Sequence, residues 1–233
     1  MTTRQIFDNH IGDPISKWTH YFQTYDFYFK RFINEPHTFM EIGVWKGGSI
    51  QMWRKLLGPY VKIIGIDIDE NCKKHHNPDE GIYIYIGDQS DENFLQKILE
   101  EHNNIAPNII LDDGSHVPKH QIKSFNFFFP KQRQGDIYLV EDIEINEKMS
   151  IDNWNKSENN TFCEYINSLN YQMYSNINDE GILNNAININ YTENMIAIKK
   201  GNLINRKSIR AGRFSSIREK LAPIKSKFDN KFR

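Results

Sequence analysis

Two short acidic segments carry residue types that could form a metal-dependent active site. Residues 112–116 read Asp-Asp-Gly-Ser-His and end one apolar run, and Glu141-Asp142 ends the next. Carboxylate oxygens suit Mg²⁺, or Mn²⁺ as a substitute. Three acids at neighbouring strand ends would repel one another without a cation. These segments predict a divalent cation held by Asp113, Glu141 and Asp142.

A histidine beside these acids is a candidate general base. With a pKa near neutral, His116 could take a proton from a substrate hydroxyl group, although a single histidine is often structural. His120 is the weaker candidate. Because successive side chains of a strand point to opposite faces, we assign Asp112 to the cofactor side and Asp113 to the metal side. The alternative is that the acids are helix caps and solvated strand ends.

A glycine-rich turn precedes these segments. Residues 41–49 read Glu-x-Gly-x-x-x-Gly-Gly-Ser, which lets backbone approach a ligand closely at the start of a helix. The turn lacks the Gly-x-Gly-x-x-Gly dinucleotide pattern, and its acid, Glu41, suits a ligand with an ammonium group. Asp67, at the end of the next strand, could accept both hydroxyls of a ribose, and Asp88 could bind an adenine amino group. A purely structural turn would use similar glycines.

Alternating apolar runs and amphipathic segments must position these residues. Strands are predicted at 38–44, 61–66, 82–86, 108–111 and 136–140, with later strands at 171–176 and 195–199. Helices are predicted at 17–33, 49–57, 91–101, 117–129 and 162–169, with Asp91 as an N-cap, and a polar loop over the site at 143–160. The pattern predicts an α/β fold of the Rossmann-like, doubly wound type. We expect a mostly parallel sheet of about seven strands with helices on both faces.

Composition limits the class of protein. The 233 residues suit one globular domain, with 39% apolar and 25% charged residues. Cys72 and Cys163 fit no metal or redox spacing, and no apolar run is long enough to cross a membrane. We therefore expect a cytoplasmic protein.

The end of the sequence is basic. Residues 206–233 contain ten Lys and Arg residues against Glu219 and Asp229. A solvated terminus is the simplest interpretation. Contact with an anionic surface or acceptor, or with a second subunit of a homo-oligomer, is the alternative.

Taken together, the motifs resemble the class I S-adenosylmethionine-dependent methyltransferases. They are most similar to the metal-dependent sugar O-methyltransferases of macrolide tailoring, whose relatives are often labelled cephalosporin hydroxylase. The resemblance covers roughly residues 17–142 and includes Lys-Trp-Thr-His-Tyr at 17–21, which in that family helps to enclose cofactor and acceptor. The resemblance ends after Asp142, so it does not indicate which substrate this chain would use.

The resemblance implies roles for individual residues. Asp113, Glu141 and Asp142 would hold Mg²⁺, with Asp113 and His116 as the catalytic pair. The cofactor S-adenosylmethionine would be bound by Glu41, Gly43, Gly47, Ser49, Asp67, Asp88, Gln89 and Asp112. The implied organisation is a helical segment over the site at 1–35, a catalytic domain at 36–204 and a basic tail at 205–233.

The resulting hypothesis is a Mg²⁺-dependent O-methyltransferase acting on a sugar, either in a small molecule or in a glycan. Three alternatives remain at this stage. One is a non-catalytic cofactor-binding scaffold, and another is methylation of a different diol, such as a nucleic-acid ribose or a catechol. The third, an iron oxygenase, would need two histidines with one carboxylate, whereas only one well-placed histidine is present.

Overall fold

The computed structural model describes residues 1–143, 161–170 and 186–201. Within these ranges the strands are β1 Thr38–Ile42, β2 Lys62–Asp67, β3 Ile82–Ile86, β4 Ile109–Asp112, β5 Ile137–Val140, β6 Ala186–Thr192 and β7 Met195–Lys200. The α-helices are α1 Thr3–Asp8, α2 Tyr21–Phe29, α3 Gly48–Leu57, α4 Glu92–Glu101, α5 Pro118–Phe128 and α6 Phe162–Leu169.

The described strands form one sheet in the order β3-β2-β1-β4-β5-β7-β6. The first five pair in parallel, and β7 runs antiparallel to both β5 and β6. The strand order reverses beside β1, which lies between β2 and β4. The predicted mostly parallel, seven-stranded sheet is confirmed.

Two apolar cores cover the two faces of the sheet. One packs side chains of α1, α2 and α3 against the sheet, including fully buried Tyr25, Phe29 and Trp53. The other packs α4, α5 and α6 against the opposite face, with Phe125 and Phe162 at its centre. Helices lie on both faces because the central strands β1, β4 and β5 are buried on both sides, as continuous apolar runs predict.

The N-terminal segment differs from its predicted form. A helix was expected from Lys17 to Ile33, but α2 covers only Tyr21–Phe29 and is followed by a 3₁₀ turn at Lys30–Phe32. Residues before Tyr21 leave the helix because Lys17 and Trp18 make polar contacts at the strand ends. Two elements, α1 and β6, were not predicted.

Some predictions fall outside the described residues. These are most of the loop at 143–160, the strand at 171–176 and the basic tail at 205–233. In the described part of the chain, no helix combines the length and apolar character needed to span a membrane.

Candidate active site

The carboxyl ends of β1, β4 and β5 bring the predicted acids together at one edge of the sheet. Hydrogen bonds continue the parallel ladder past these ends, from Asp113 N–H to Ile42 O and from Glu141 N–H to Asp112 O, both 2.9 Å. Residues following neighbouring strands are therefore held side by side, where open α/β sheets bind ligands.

Asp113, His116 and Asp142 form the most compact group of possible metal ligands among the described residues. One ligand atom from each lies within 4.8 Å of the others. His116 Nε2 is 3.1 Å from Asp113 Oδ1 and 3.7 Å from Asp142 Oδ2. Both His116 and Asp142 have positive φ angles, of 57° and 55°, which non-glycine residues seldom adopt. The hard oxygen donors fit Mg²⁺.

Glu141, the third acid predicted to bind metal, lies deeper than this group. Its side chain is buried, accepting a hydrogen bond from the Tyr25 hydroxyl on Oε1 and a 3.0 Å contact from Lys17 Nζ on Oε2. Lys17 Nζ also lies 2.5 Å from Asp113 Oδ2 and 3.8 Å from Glu41 Oε1. Glu141 is thus joined to Asp113 through a lysine ammonium group.

Aromatic side chains of the N-terminal segment complete this side of the site. Trp18 Nε1–H and the Tyr21 hydroxyl both donate to Asp142 Oδ1, at 3.0 and 2.7 Å. The Asp142 N–H in turn donates to the Tyr21 hydroxyl at 3.1 Å. These donors orient the Asp142 carboxylate without adding charge.

The charges alter the protonation of the cluster. Burial by itself would lower the pKa of His116, but its hydrogen bond to Asp113 and the charges of Asp113 and Asp142 outweigh burial and raise that pKa. Burial would likewise lower the pKa of Lys17, yet Asp113, Glu141 and Glu41 raise it. Lys17 is therefore charged at neutral pH. Burial raises the pKa of Glu141, which Lys17 only partly opposes.

The glycine turn lies between two cavities. One is lined by residues from the ends of β1, β2 and β3, among them Asp67, Asp88 and Gln89, together with Gly114 and Ser115. The other is lined by Ser49, Lys17, Asp113, His116 and Asp142, and by Pro14, Ile15 and Ser16 of the N-terminal segment. Gly43 and Gly114 line both cavities, so a long ligand could extend from one to the other.

Asp67 and Asp88 line the first cavity but are already engaged. Asp67 Oδ2 accepts the N–H groups of Val44 and Trp45, both at 2.8 Å, and Asp88 accepts that of Ser90 at 2.7 Å. Burial would raise the pKa of Asp67, but the backbone N–H groups of Asp69, Trp45 and Val44 lower it. The first role of Asp67 in the structure is to hold the glycine turn, and its predicted ribose contact stays a prediction.

Asp112 and Gln89 form a buried polar pair beneath the first cavity. Asp112 has no exposed surface and accepts hydrogen bonds from Gln89 Nε2 at 3.0 Å and Ser124 Oγ at 3.0 Å. Burial raises its pKa to about 6. Gln89 Oε1 in turn accepts the Ser115 N–H at 2.8 Å. Asp112 thus does not reach the cavity that it was predicted to serve, and acts on it through Gln89.

Glu41 and Gly47 also lie behind the cavity walls. Glu41 is fully buried, and its carboxylate accepts from Ser49 Oγ at 2.7 Å and Trp53 Nε1 at 3.0 Å. Burial raises its pKa to about 7. Gly47, with φ of 86°, is the N-cap of α3 and lies against the ring of His75. Of the predicted cofactor residues, those lining the cavities are Gly43, Ser49, Asp67, Asp88 and Gln89.

The sequence predicted that the N-terminal segment covers the site, but not which of its side chains contact the acids. Lys17, Tyr21 and Tyr25 contact the acids directly, whereas the spacing of the aromatic residues in this segment predicted only an amphipathic helix at 17–33. That interpretation holds for the rings, which are buried, while their hydroxyl groups reach the site. The available signal was a lysine immediately before an aromatic stripe.

Comparisons with known proteins agree with this geometry. Residues 9–188 match the family described as Rhamnosyl O-methyltransferase/CmcI. The 8-demethyl-8-(2-methoxy-alpha-L-rhamnosyl)-tetracenomycin-C 3'-O-methyltransferase of Streptomyces olivaceus is 33% identical over 141 residues, covering 58% of this chain and 35% of that protein. The mycinamicin VI 2''-O-methyltransferase of Micromonospora griseorubida is 36% identical over 126 residues, covering 51% and 30%. The chain spans about a third of the length of these curated relatives.

A solved structure is also similar. The MycE methyltransferase from the mycinamycin biosynthetic pathway, in complex with Mg, SAH and mycinamycin VI, aligns with a TM-score of 0.71 and 25% identity. The alignment covers 86% of this chain and 55% of that one.

Proposed function

The chain belongs to the Rhamnosyl O-methyltransferase/CmcI family, and from that membership we propose that it transfers a methyl group from S-adenosylmethionine to a sugar hydroxyl group, with Mg²⁺. The observation that carries the proposal is the group Asp113, His116 and Asp142, which lines a cavity that shares Gly43 and Gly114 with a second one. This arrangement would put a metal site and a base beside the cavity that Asp67 and Asp88 line.

The two cavities divide the cofactor's binding between them. Gly43 and Gly114 line both cavities, Ser49 lines the one on the metal side, and Asp67, Asp88 and Gln89 line the other. We assign the ribose to Asp67 and the adenine to Asp88 and Gln89, with the methionine part towards Ser49. Gly47, Glu41 and Asp112 support these residues from behind.

His116 is the base in this mechanism. In a neutral ring whose Nε2–H donates to Asp113, the lone pair that accepts the acceptor's hydroxyl proton lies on Nδ1. Asp113 fixes this tautomer and stabilises the imidazolium that results, as a carboxylate does for a base histidine in a catalytic triad. S-adenosylmethionine, when bound, would supply the methyl group to this oxygen, with its carbon–sulfur bond breaking and S-adenosylhomocysteine leaving.

Asp113, Glu141 and Asp142 would hold Mg²⁺, which when bound lowers the pKa of a hydroxyl group and stabilises the developing negative charge. The N-terminal segment covers part of this side, since Lys17, Trp18 and the two tyrosines bond to the acids. The sugar assignment is supported by the names of the relatives, which act on rhamnosyl compounds and on mycinamicin VI.

Transfer of labelled methyl from S-adenosylmethionine tests the proposal. A rhamnoside should be methylated and its sugar-free aglycone should not. Chelator should abolish transfer, and added Mg²⁺ should restore it. Full activity in chelator would refute the metal dependence, and methylation of RNA or of a catechol in preference to the rhamnoside would refute the sugar assignment.

His116→Ala tests the base. Loss of the proton acceptor should lower turnover by about 100-fold or more, while S-adenosylhomocysteine binding measured by calorimetry stays near that of the wild type. The matched control is His37→Gln, because His37 precedes β1 at the opposite end of the sheet and should leave turnover unchanged. A scaffold protein would tolerate loss of His116 and Asp113 without loss of function.

A further inference from the structure

Lys17 places a positive charge among the acids of the proposed metal site. Its side chain is 2% exposed, and its Nζ lies 2.5 Å from Asp113 Oδ2 and 3.0 Å from Glu141 Oε2. Glu41 Oε1 is 3.8 Å away. The charge comes from a residue far from these acids along the chain, in the segment that precedes α2.

Tyr25 also contacts Glu141, but through a neutral hydroxyl group instead of a charged ammonium group. Its hydroxyl donates to Glu141 Oε1, whereas the ammonium of Lys17 contacts Oε2. A neutral donor orients a carboxylate and leaves its charge available to a metal ion. An ammonium at the same carboxylate adds a positive charge that repels a divalent cation, and burial leaves this repulsion largely unscreened by salt.

We propose that Lys17 is an internal competitor for the divalent cation: its ammonium occupies Asp113 and Glu141, opposes metal binding there, and is loosened when the metal binds. This inference rests on the metal part of the proposed function. Since coupling between two binding events is reciprocal, the cation must also weaken the attachment of the segment that carries Lys17. Lys17 is therefore a positioning residue that links metal binding to the N-terminal segment lining the second cavity.

Two substitutions, each of which removes one partner of the Glu141 carboxylate, separate the effect of charge on Mg²⁺ binding from the effect of structural damage. In Lys17→Met, a neutral side chain of similar length should bind Mg²⁺ more tightly, on the order of tenfold, because the repulsion is removed. In Tyr25→Phe, loss of a neutral orienting donor should weaken Mg²⁺ binding by roughly tenfold. Calorimetry with Mg²⁺ alone measures both affinities, and circular dichroism confirms that each variant is folded.

The direction of each change in Mg²⁺ affinity decides whether the inference holds. Equal or weaker Mg²⁺ binding by folded Lys17→Met overturns the inference and leaves Lys17 as a structural ion pair, while methyl transfer by the wild type would still support the proposed function. Absence of Mg²⁺ binding in the wild type and in both variants overturns the inference together with the metal dependence.

Hydrogen exchange of the wild-type protein gives a second test that needs no variant. Saturating Mg²⁺ should speed amide exchange in residues 14–20 and leave exchange in α4 unchanged, because only the first segment is attached through Lys17. Slower or unchanged exchange in residues 14–20 would contradict the competition.

Discussion

At the scale of a single residue, Gly43 fixes the position of the loop that follows β4. Its φ is 95°, and a Cβ atom there would overlap the backbone carbonyl of Asp113. The turn after β1 and the loop after β4 can touch only because this residue has no side chain. The same contact places Gly43 in the walls of both cavities.

Gly43→Ala should therefore damage both stability and binding. We expect a loss of about 2 kcal/mol or more in the free energy of unfolding, from the left-handed backbone and the overlap together. Affinity for S-adenosylhomocysteine should fall with it. The matched control is Gly81→Ala, where φ is also positive, at 69°, but the nearest atoms to the new methyl group lie 3.5 Å away.

Gly81→Ala should cost only about 1 kcal/mol, the strain of the backbone alone. It should bind S-adenosylhomocysteine as the wild type does, because Gly81 precedes β3 at the far end of the sheet. Urea denaturation and calorimetry measure both quantities. Equal losses in the two variants would contradict the importance of the contact with Asp113.

The protonation of His116 offers a pH-dependent prediction. Its pKa in the metal-free protein should exceed the ordinary value of 6.5, because the acids at Asp113 and Asp142 outweigh burial. Asp113→Asn should lower that pKa. Saturating Mg²⁺ should lower it as well, since a second cation disfavours the imidazolium. NMR titration of the imidazole resonances measures the pKa of His116 in the metal-free protein, in Asp113→Asn and with Mg²⁺. A midpoint at or below 6.5 in the metal-free protein would contradict the expectation that the acids outweigh burial.

At the scale of secondary structure, the sequence predicted the elements that end at the site and a segment over them, but not the side-chain contacts between the two. Strands β1 to β5 were predicted because continuous apolar runs followed by Gly or Asp are a local pattern. The roles of Lys17 and Tyr25 could not be predicted in this way, since their partner Glu141 is distant in sequence. The bond from Asp112 to Gln89 depends on the packing of α5 through Ser124, which no local pattern encodes.

One predicted helix cap can be tested directly. Asp91 accepts the N–H groups of Asn93 and Phe94 at the start of α4, as the sequence predicted. Asp91→Ala should lower the free energy of unfolding by about 1 kcal/mol, because two backbone donors lose their acceptor. Thermal denaturation measures the change, with Asp91→Asn as the control that keeps the cap. Equal destabilisation by both substitutions would contradict the capping role.

At the scale of the whole molecule, the sheet gathers the acids and the N-terminal segment covers them. The strand order reverses beside β1, so the glycine turn, the loop after β4 and the end of β5 meet at one edge. Composition and periodicity were sufficient to predict this architecture. They could not identify the proposed acceptor, because recognition of a sugar depends on side chains gathered from distant parts of the chain.

The pairing of Lys17 with Glu141 also sets an order of events during protein synthesis. Lys17, Tyr21 and Tyr25 leave the ribosome long before β5 and the acids that follow it, to which all three are bonded in the finished protein. Contacts so distant in sequence form late, since a long loop must be closed before they contribute any stability. The residues proposed for catalysis therefore reach their final arrangement only after most of the sheet has been translated, and a nascent chain that stops before β5 cannot yet contain the site.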